Sequence, residues 1–311
     1  MKTIVIGGAG FIGSLVSHTL IQAGHEVIIV GRRPPDPHKT LLGCTYRIAD
    51  LGNRAQMREI LEPGCNVIDL AYATVPKTSY GDPTFDLLAN VPGSVSLLEE
   101  SRAVGVRRLL LVSSGGTVYG PPQALPIQES HPTSPISPYG ITKLTIEHYA
   151  LMFHQTHDLS VVIVRPANAY GVDQRSRTGQ GFLATAIDAI LSQREIEVYG
   201  PSGSIRDYIH VADVADGIVA ALNFGIDGQV YNIGTGIGAA NLDVLSLLRP
   251  IARDSGYSIQ VNHLPSRRYD VDANVLDCQR LISVSGWTAK TSLRQGLAEM
   301  WEHALRRTSN A

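Results

Sequence analysis

The sequence predicts an α/β protein: a doubly wound parallel sheet with helices on both faces, followed by a smaller C-terminal lobe. Three observations predict it. Short apolar runs alternate with helical patterns through the first half of the chain. Those runs lack polar/apolar alternation, as strands buried on both faces require. After Arg165 the regularity breaks into loops rich in Gly, Pro and polar residues, such as Pro166–Gly181 and Gly200–Arg206.

The elements follow in order. Lys2–Gly7 reads as a strand, and a helical pattern runs from about Phe11 to Ala23. His25–Val30, Cys44–Ile48 and Asn66–Leu70 are the next three strands, each a short run of the residue types that fill a buried sheet. A helix from about Leu87 to Val104 precedes a strand at Arg108–Ser113, and a helix over Thr142–His157 feeds a strand at Ser160–Arg165. Val230–Ile233 is a further strand. In open sheets of this kind the ligand lies outside the carboxyl ends of the strands, so loops that close over that edge specify the substrate. The expected division is residues 1–165 for the nucleotide-binding domain and 166–311 for the substrate lobe, with about 200–225 returning to the first domain.

The chain has 311 residues, 44% of them hydrophobic and 17% charged, with a formal net charge of −2. That is enough for one large domain and a lobe, and the balance gives no electrostatic reason to bind nucleic acid or a membrane surface. Cys44, Cys65 and Cys278 have no metal-ligand spacing, and three thiols cannot all pair. Met1-Lys2-Thr3 runs straight into a strand, and no apolar run reaches membrane-spanning length. The expectation is a soluble cytoplasmic protein with no metal.

Gly7, Gly10 and Gly13 follow the first strand and open a helix. Gly7 suits the tight turn, Gly10 lets backbone approach a pyrophosphate, and Gly13 permits close packing of helix on strand; Phe11 and Ile12 lie between them. This Rossmann-type turn points to a dinucleotide. An NAD site places an acidic residue about 20 positions on, to bond the ribose 2′-hydroxyl. Here stand Gly31, Arg32 and Arg33. Arginine forks fit a 2′-phosphate, which leans to NADP; solvated loop charges are the alternative. Asp50-Leu51 either meets the adenine or forms a surface turn, and Leu70-Ala71-Tyr72-Ala73 either borders the cofactor, Leu70 and Ala71 foremost, or packs.

Tyr139 and Lys143 lie four residues apart, one helical turn, and share a face. A phenol with an ordinary pKa of about 10 is a poor base near neutrality. An ammonium and a positive nicotinamide beside it favour the phenolate, so Tyr139 can move a proton while Lys143 holds the nicotinamide ribose. One strand earlier, Ser113, Ser114 and Thr117 offer hydroxyls to polarise the reacting oxygen; turn capping is the other reading. Arg206 and Arg267 have the donor fork a diphosphate takes, and each could instead form a structural salt bridge. His210, in an apolar stretch, reads as structural.

Together these residues resemble the extended short-chain dehydrogenase/reductase family, in its NAD(P)-dependent sugar-nucleotide epimerase/dehydratase branch. The likeness includes Arg165-Pro166-Ala167-Asn168-Ala169-Tyr170-Gly171, Arg206-Asp207-Tyr208-Ile209-His210, Tyr231-Asn232-Ile233-Gly234 and Gly286-Trp287. It implies NAD or NADP as cofactor, with Pro166 beside it. It also implies a nucleotide sugar as substrate, UDP-linked, gripped by Asn168, Arg206, Arg267 and Asp270, and a homodimer. The implied activity is 4-epimerisation by transient oxidation at C4. The alternative is an NADPH-dependent reduction of a 4-keto sugar nucleotide, and a non-catalytic nucleotide sensor is a third reading. Three positions depart from the family pattern: Ile6 replaces a threonine, the acid after the second strand is absent, and Gly115 stands where the catalytic Ser or Thr belongs. Ser114 and Thr117 are the candidates to replace it. Gly116 and Thr117 occupy the Asp-Glu positions of the 4,6-dehydratases, so loss of water is not expected.

Overall fold

A computed structural model describes residues 1–36, 40–174, 181–266 and 271–309. Its central sheet has seven parallel strands: β1 (Lys2–Ile6), β2 (Glu26–Gly31), β3 (Cys44–Ile48), β4 (Asn66–Asp69), β5 (Arg108–Val112), β6 (Val161–Pro166) and, much later in the chain, β10 (Val230–Ile233). They lie in the order β10-β6-β5-β4-β1-β2-β3. The direction of winding reverses between β1 and β4, which places a crevice at their carboxyl ends. Alternate strand residues feed two cores. Val5, Ile29, Ile68, Leu110 and Val162 belong to one face; Ile4, Ile6, Ile28, Val67 and Leu109 belong to the other. Both faces are covered, which is why the runs show no alternation.

The helix α1 (Phe11–Gln22) lies on one face beside α7 (Val211–Phe224). On the other face α4 (Pro83–Val104) packs along α5 (Pro138–His157). Both of these start earlier than the periodicity suggests, because polar caps set them. Asp82 accepts from Phe85 N at 2.8 Å, and Ser137 accepts from Gly140 N at 3.1 Å. A proline follows each cap, where its missing N–H costs nothing. The short helices α2 (Arg54–Ile60) and α3 (Pro76–Gly81) were not expected from the sequence.

The lobe has its own core. In it α6 (Phe182–Leu191), α8 (Asn241–Asp254) and α10 (Leu293–Ser309) bury Leu183, Ile187, Leu248 and Trp301. The short β7 (Asn168–Tyr170) and β13 (Ala273–Asn274) both pair with β9 (Ile205–His210). Within 200–225, β9 pairs inside the lobe while α7 packs on α1 of the first domain, and β10, further on, joins the seven-stranded sheet. His210 caps α7, its Nδ1 accepting from Ala212 N at 3.4 Å.

Candidate active site

The glycine turn sits where β1 ends. Gly7 has φ +80°, in the left-handed region that favours glycine. A Cβ on Gly7 would lie 3.1 Å from Ala71 N and Leu70 C, so the continuation of β4 passes directly against the turn. A Cβ on Gly13 would lie 2.2 Å from Gly7 O, so only glycine lets α1 start there. Gly10 caps α1 with no side chain, and the first turn holds no acidic residue. This leaves a helix N-terminus open to an anion. Phe11 and Ile12 are half-buried, and Leu51 packs on Gly93 of α4. Asp50 is exposed and accepts Gly52 N at 2.9 Å, closing a turn. Arg32 and Arg33, just past β2, are exposed.

Further along the same sheet edge stand Tyr139 and Lys143, in the first turns of α5. Lys143 is only 6% exposed, and its Nζ donates to Val112 O at 2.9 Å. The helix is locked by the next residue on that face. Glu147 accepts from Arg165 Nε at 3.0 Å in a buried ion pair, and that guanidinium lies 4.8 Å from the centre of the Tyr119 ring. Burial lowers the Lys143 ammonium to about 8, against the pull of Asp69, Glu147 and Asp86. Asp69, 3% exposed at the end of β4, is raised to about 6 by burial, against Lys143 and the bond from Ala71 N. The Tyr139 phenol is pushed well above its ordinary value by burial and by Asp86. The ammonium expected to lower it donates to Val112 O and lies 4.1 Å from the Tyr72 ring centre and 6.0 Å from that of Tyr139.

Tyr72, read from the sequence only as part of the Leu70–Ala73 segment, is the neighbour of both side chains. Its ring centre is 4.1 Å from Lys143 Nζ and 4.8 Å from the centre of the Tyr139 ring, met edge-on. Its segment is clamped to α4: Ala73 N donates to Asn90 Oδ1 at 2.7 Å, and Thr74 Oγ1 donates to the fully buried Asp86. The only sequence signal was a tyrosine among the small residues after β4.

The hydroxyls in the loop after β5 differ in their surroundings. A Cβ on Gly115 would lie 2.5 Å from Leu276 Cδ1 and 2.9 Å from Arg165 O, so no side chain fits at 115. The buried hydroxyls of Ser113 and Thr117 both lack a hydrogen-bond partner among the described residues, while Ser114 is half-buried. Thr117 belongs to a loop packed on the start of α5, since a Cβ on Gly140 would lie 2.7 Å from Thr117 O. Pro166 O accepts Gly115 N at 2.9 Å, and the Asn168 Oδ1 sits 3.2 Å from where a Cβ on Gly116 would be. Arg206, half-buried on β9, pairs in register with Asn274. Arg267 and Asp270 lie outside the described residues.

A glycine-lined turn at a helix N-terminus and a tyrosine–lysine pair with its lysine buried, along one edge of a doubly wound sheet, define a dinucleotide-dependent enzyme of the short-chain dehydrogenase/reductase class. Residues 3–234 match the description of the NAD dependent epimerase/dehydratase family, and the chain belongs to that family. It is 34% identical to a UDP-glucose 4-epimerase of Mycolicibacterium smegmatis, covering 97% of this chain and 98% of that one. Among solved structures it is similar to the UDP-glucose 4-epimerase of Thermotoga maritima with UDP-glucose. The TM-score there is 0.90 and the identity 32%, over 99% of this chain and 100% of the other. A Thermus thermophilus UDP-glucose 4-epimerase in complex with NAD gives a TM-score of 0.87 at 31% identity, over 97% and 98% of the two chains.

Proposed function

We propose that the chain is a UDP-hexose 4-epimerase that works through a nicotinamide dinucleotide lying along the carboxyl ends of β1 and β4. The observation that carries this reading is the pairing of half-buried Tyr139 with buried Lys143 on the same sheet edge as the glycine turn, in a chain alike over nearly its whole length to UDP-glucose 4-epimerases. The residues fit the group: the open N-terminus of α1 takes the pyrophosphate, Leu70-Ala71 border it, and Lys143 holds the nicotinamide ribose. When bound, the nicotinamide supplies hydride acceptance from C4 and hydride return to the other face of the 4-keto sugar.

The chain's own residues move the proton. Tyr139 takes it from the sugar 4-hydroxyl and gives it back to the 4-oxygen at the end of the turnover. Its high proton affinity in the unliganded protein makes it a resting acid, and positive charge beside it is what releases the phenolate. Thr117 and Ser113, with unspent buried hydroxyls, and Ser114 beside them are the donors available to the 4-oxygen in place of a side chain at 115. Asn168 and Arg206, with Arg267 and Asp270, grip the nucleotide. The experiment is incubation with UDP-glucose alone, followed by proton NMR of the anomeric region. Redox-neutral appearance of the C4 epimer supports the reading, and an unchanged spectrum from dinucleotide-loaded protein sinks it.

Two further proposals accompany this one. Exposed Phe85 and Leu88 on α4 and Ile141, Tyr149 and Met152 on α5 support association of two copies through these helices, which light scattering would read as twice the chain mass. The free thiols of Cys44, Cys65 and Cys278 support a reducing compartment, the cytoplasm.

A further inference from the structure

Gly31, Arg32 and Arg33 have no part in the proton and hydride chemistry, yet they stand where the glycine turn meets the next strand. Gly7 N donates to Val30 O at 2.8 Å, which ties the end of β2 to the turn, and Ala49 N donates to Gly31 O at 3.0 Å. Nothing in the fold calls for a glycine at 31. Its φ is outside the left-handed region, and a Cβ there would meet nothing nearer than Arg33 O at 3.8 Å. The position is open space. Beside it, Arg32 and Arg33 are exposed, and neither makes a hydrogen bond or ion pair among the described residues. Asp50, past the adjoining strand end, spends one carboxylate oxygen on Gly52 N.

At the end of β2 itself, the side chains of residues 31–33 offer donors only. A ribose diol is gripped by an acceptor, commonly a carboxylate, and a guanidinium has no acceptor to give it. A phosphate dianion is the opposite case, because its oxygens match the guanidinium fork in geometry and charge. We propose that Gly31, Arg32 and Arg33 form a seat for a 2′-phosphate on the adenosine ribose, so that this chain binds NADP(H) more tightly than NAD(H). The inference rests on the dinucleotide reading above and departs from the NAD of the Thermus thermophilus relative. It leaves the redox-neutral cycle intact, since the 2′-phosphate sits at the end of the cofactor away from the nicotinamide.

The test needs no turnover. Any dinucleotide that purifies with the protein is released by acid and identified by mass, and the emptied protein is titrated calorimetrically with adenosine 2′,5′-bisphosphate and with 5′-ADP. The expected result is NADP in the released fraction, or the 2′-phosphorylated fragment bound about ten- to a hundredfold more tightly, as for hydrogen bonds to a charged group. Arg32→Ala with Arg33→Ala should erase that gap while leaving 5′-ADP affinity unchanged, and Gly31→Asp should reverse it. Released NAD, equal fragment affinities, or a gap that survives loss of both arginines would overturn the 2′-phosphate seat and leave the dinucleotide site standing. Failure of both fragments to bind, with nothing released, would overturn the dinucleotide reading along with it.

Discussion

The two ends of the sheet's ligand edge are built on opposite principles. At the Tyr139 end, the charged groups are buried, the phenols half-buried, and their neighbours specified: Lys143 on a carbonyl and a ring, Glu147 on Arg165, Asp86 on Thr74. At the Arg32–Arg33 end, two guanidiniums stand in solvent with no partner among the described residues. Burial makes a charge costly, so its surroundings must be right before any ligand arrives. Solvent makes a charge cheap, so its value is realised only when a ligand brings the counter-charge. One end should therefore answer substitution with large, pH-dependent effects on turnover and stability, and the other with effects on ligand choice alone.

The largest expected effect is on chemistry. Tyr139→Phe should cut epimerisation of UDP-glucose by about 10²–10⁴-fold, the usual contribution of a positioned acid–base group. Dinucleotide affinity, measured by titration, should barely change; unchanged turnover would remove Tyr139 from the mechanism. Next comes the lock on α5. Glu147→Ala strands a buried arginine and should cost about 3–5 kcal/mol in urea unfolding. A loss below 1 kcal/mol would mean that water reaches Arg165.

Gly115→Ser should cost about 1–3 kcal/mol by overpacking against Leu276 and the Arg165 carbonyl, read as a lower unfolding midpoint. A gain in turnover without that loss would contradict the filled site. Asp69→Asn probes the electrostatics. Lys143, held at about 8, keeps its proton partly through the Asp69 charge. Removing that charge disfavours the ammonium, so the alkaline fall in dinucleotide affinity should move to lower pH. An unchanged or higher midpoint would show that the Asp69 charge does not help Lys143 keep its proton. The smallest effect belongs to the open end: Arg32→Ala should change unfolding free energy by no more than about 0.5 kcal/mol. A larger loss would mean the arginine already has a structural partner, and the contrast between the two ends would weaken.

Asp69 also fixes a sign for stability. Its native pKa of about 6 lies above the ordinary carboxylate value, so the folded state binds a proton that the unfolded chain has released. Its contribution to stability is therefore present at low pH and lost as pH rises through about 6.

Much of this was readable in the chain itself. The glycine turn is local: the left-handed Gly7 and the contact of Gly13 with Gly7 O involve residues seven or fewer apart, and steric rules at that range act on any chain. The Tyr139–Lys143 spacing needs only a helix, and the sheet strands announce themselves by apolar runs. The helices α2 and α3, of 7 and 6 residues, escaped because so few residues give no clear period, and their ends are set by caps. Within the site, the roles of Tyr72, Asp69 and Asp86 were not legible, because these residues reach Tyr139 and Lys143 only after β4, α4 and α5 are stacked.

By itself, then, the sequence determined the parallel sheet, the anion cradle and the tyrosine–lysine pair, since each follows from short-range sterics and periodicity. It also put two arginines at the end of the second strand, preceded there by a glycine and not by a carboxylate. Tertiary structure alone decided that Leu276 fills the place of a side chain at 115, that Lys143 rests on Tyr72, and that Tyr139 begins as a strong holder of its proton. Those outcomes depend on which distant atoms exclude water from a given group, and desolvation is a property of the packed molecule that no local stretch of chain contains.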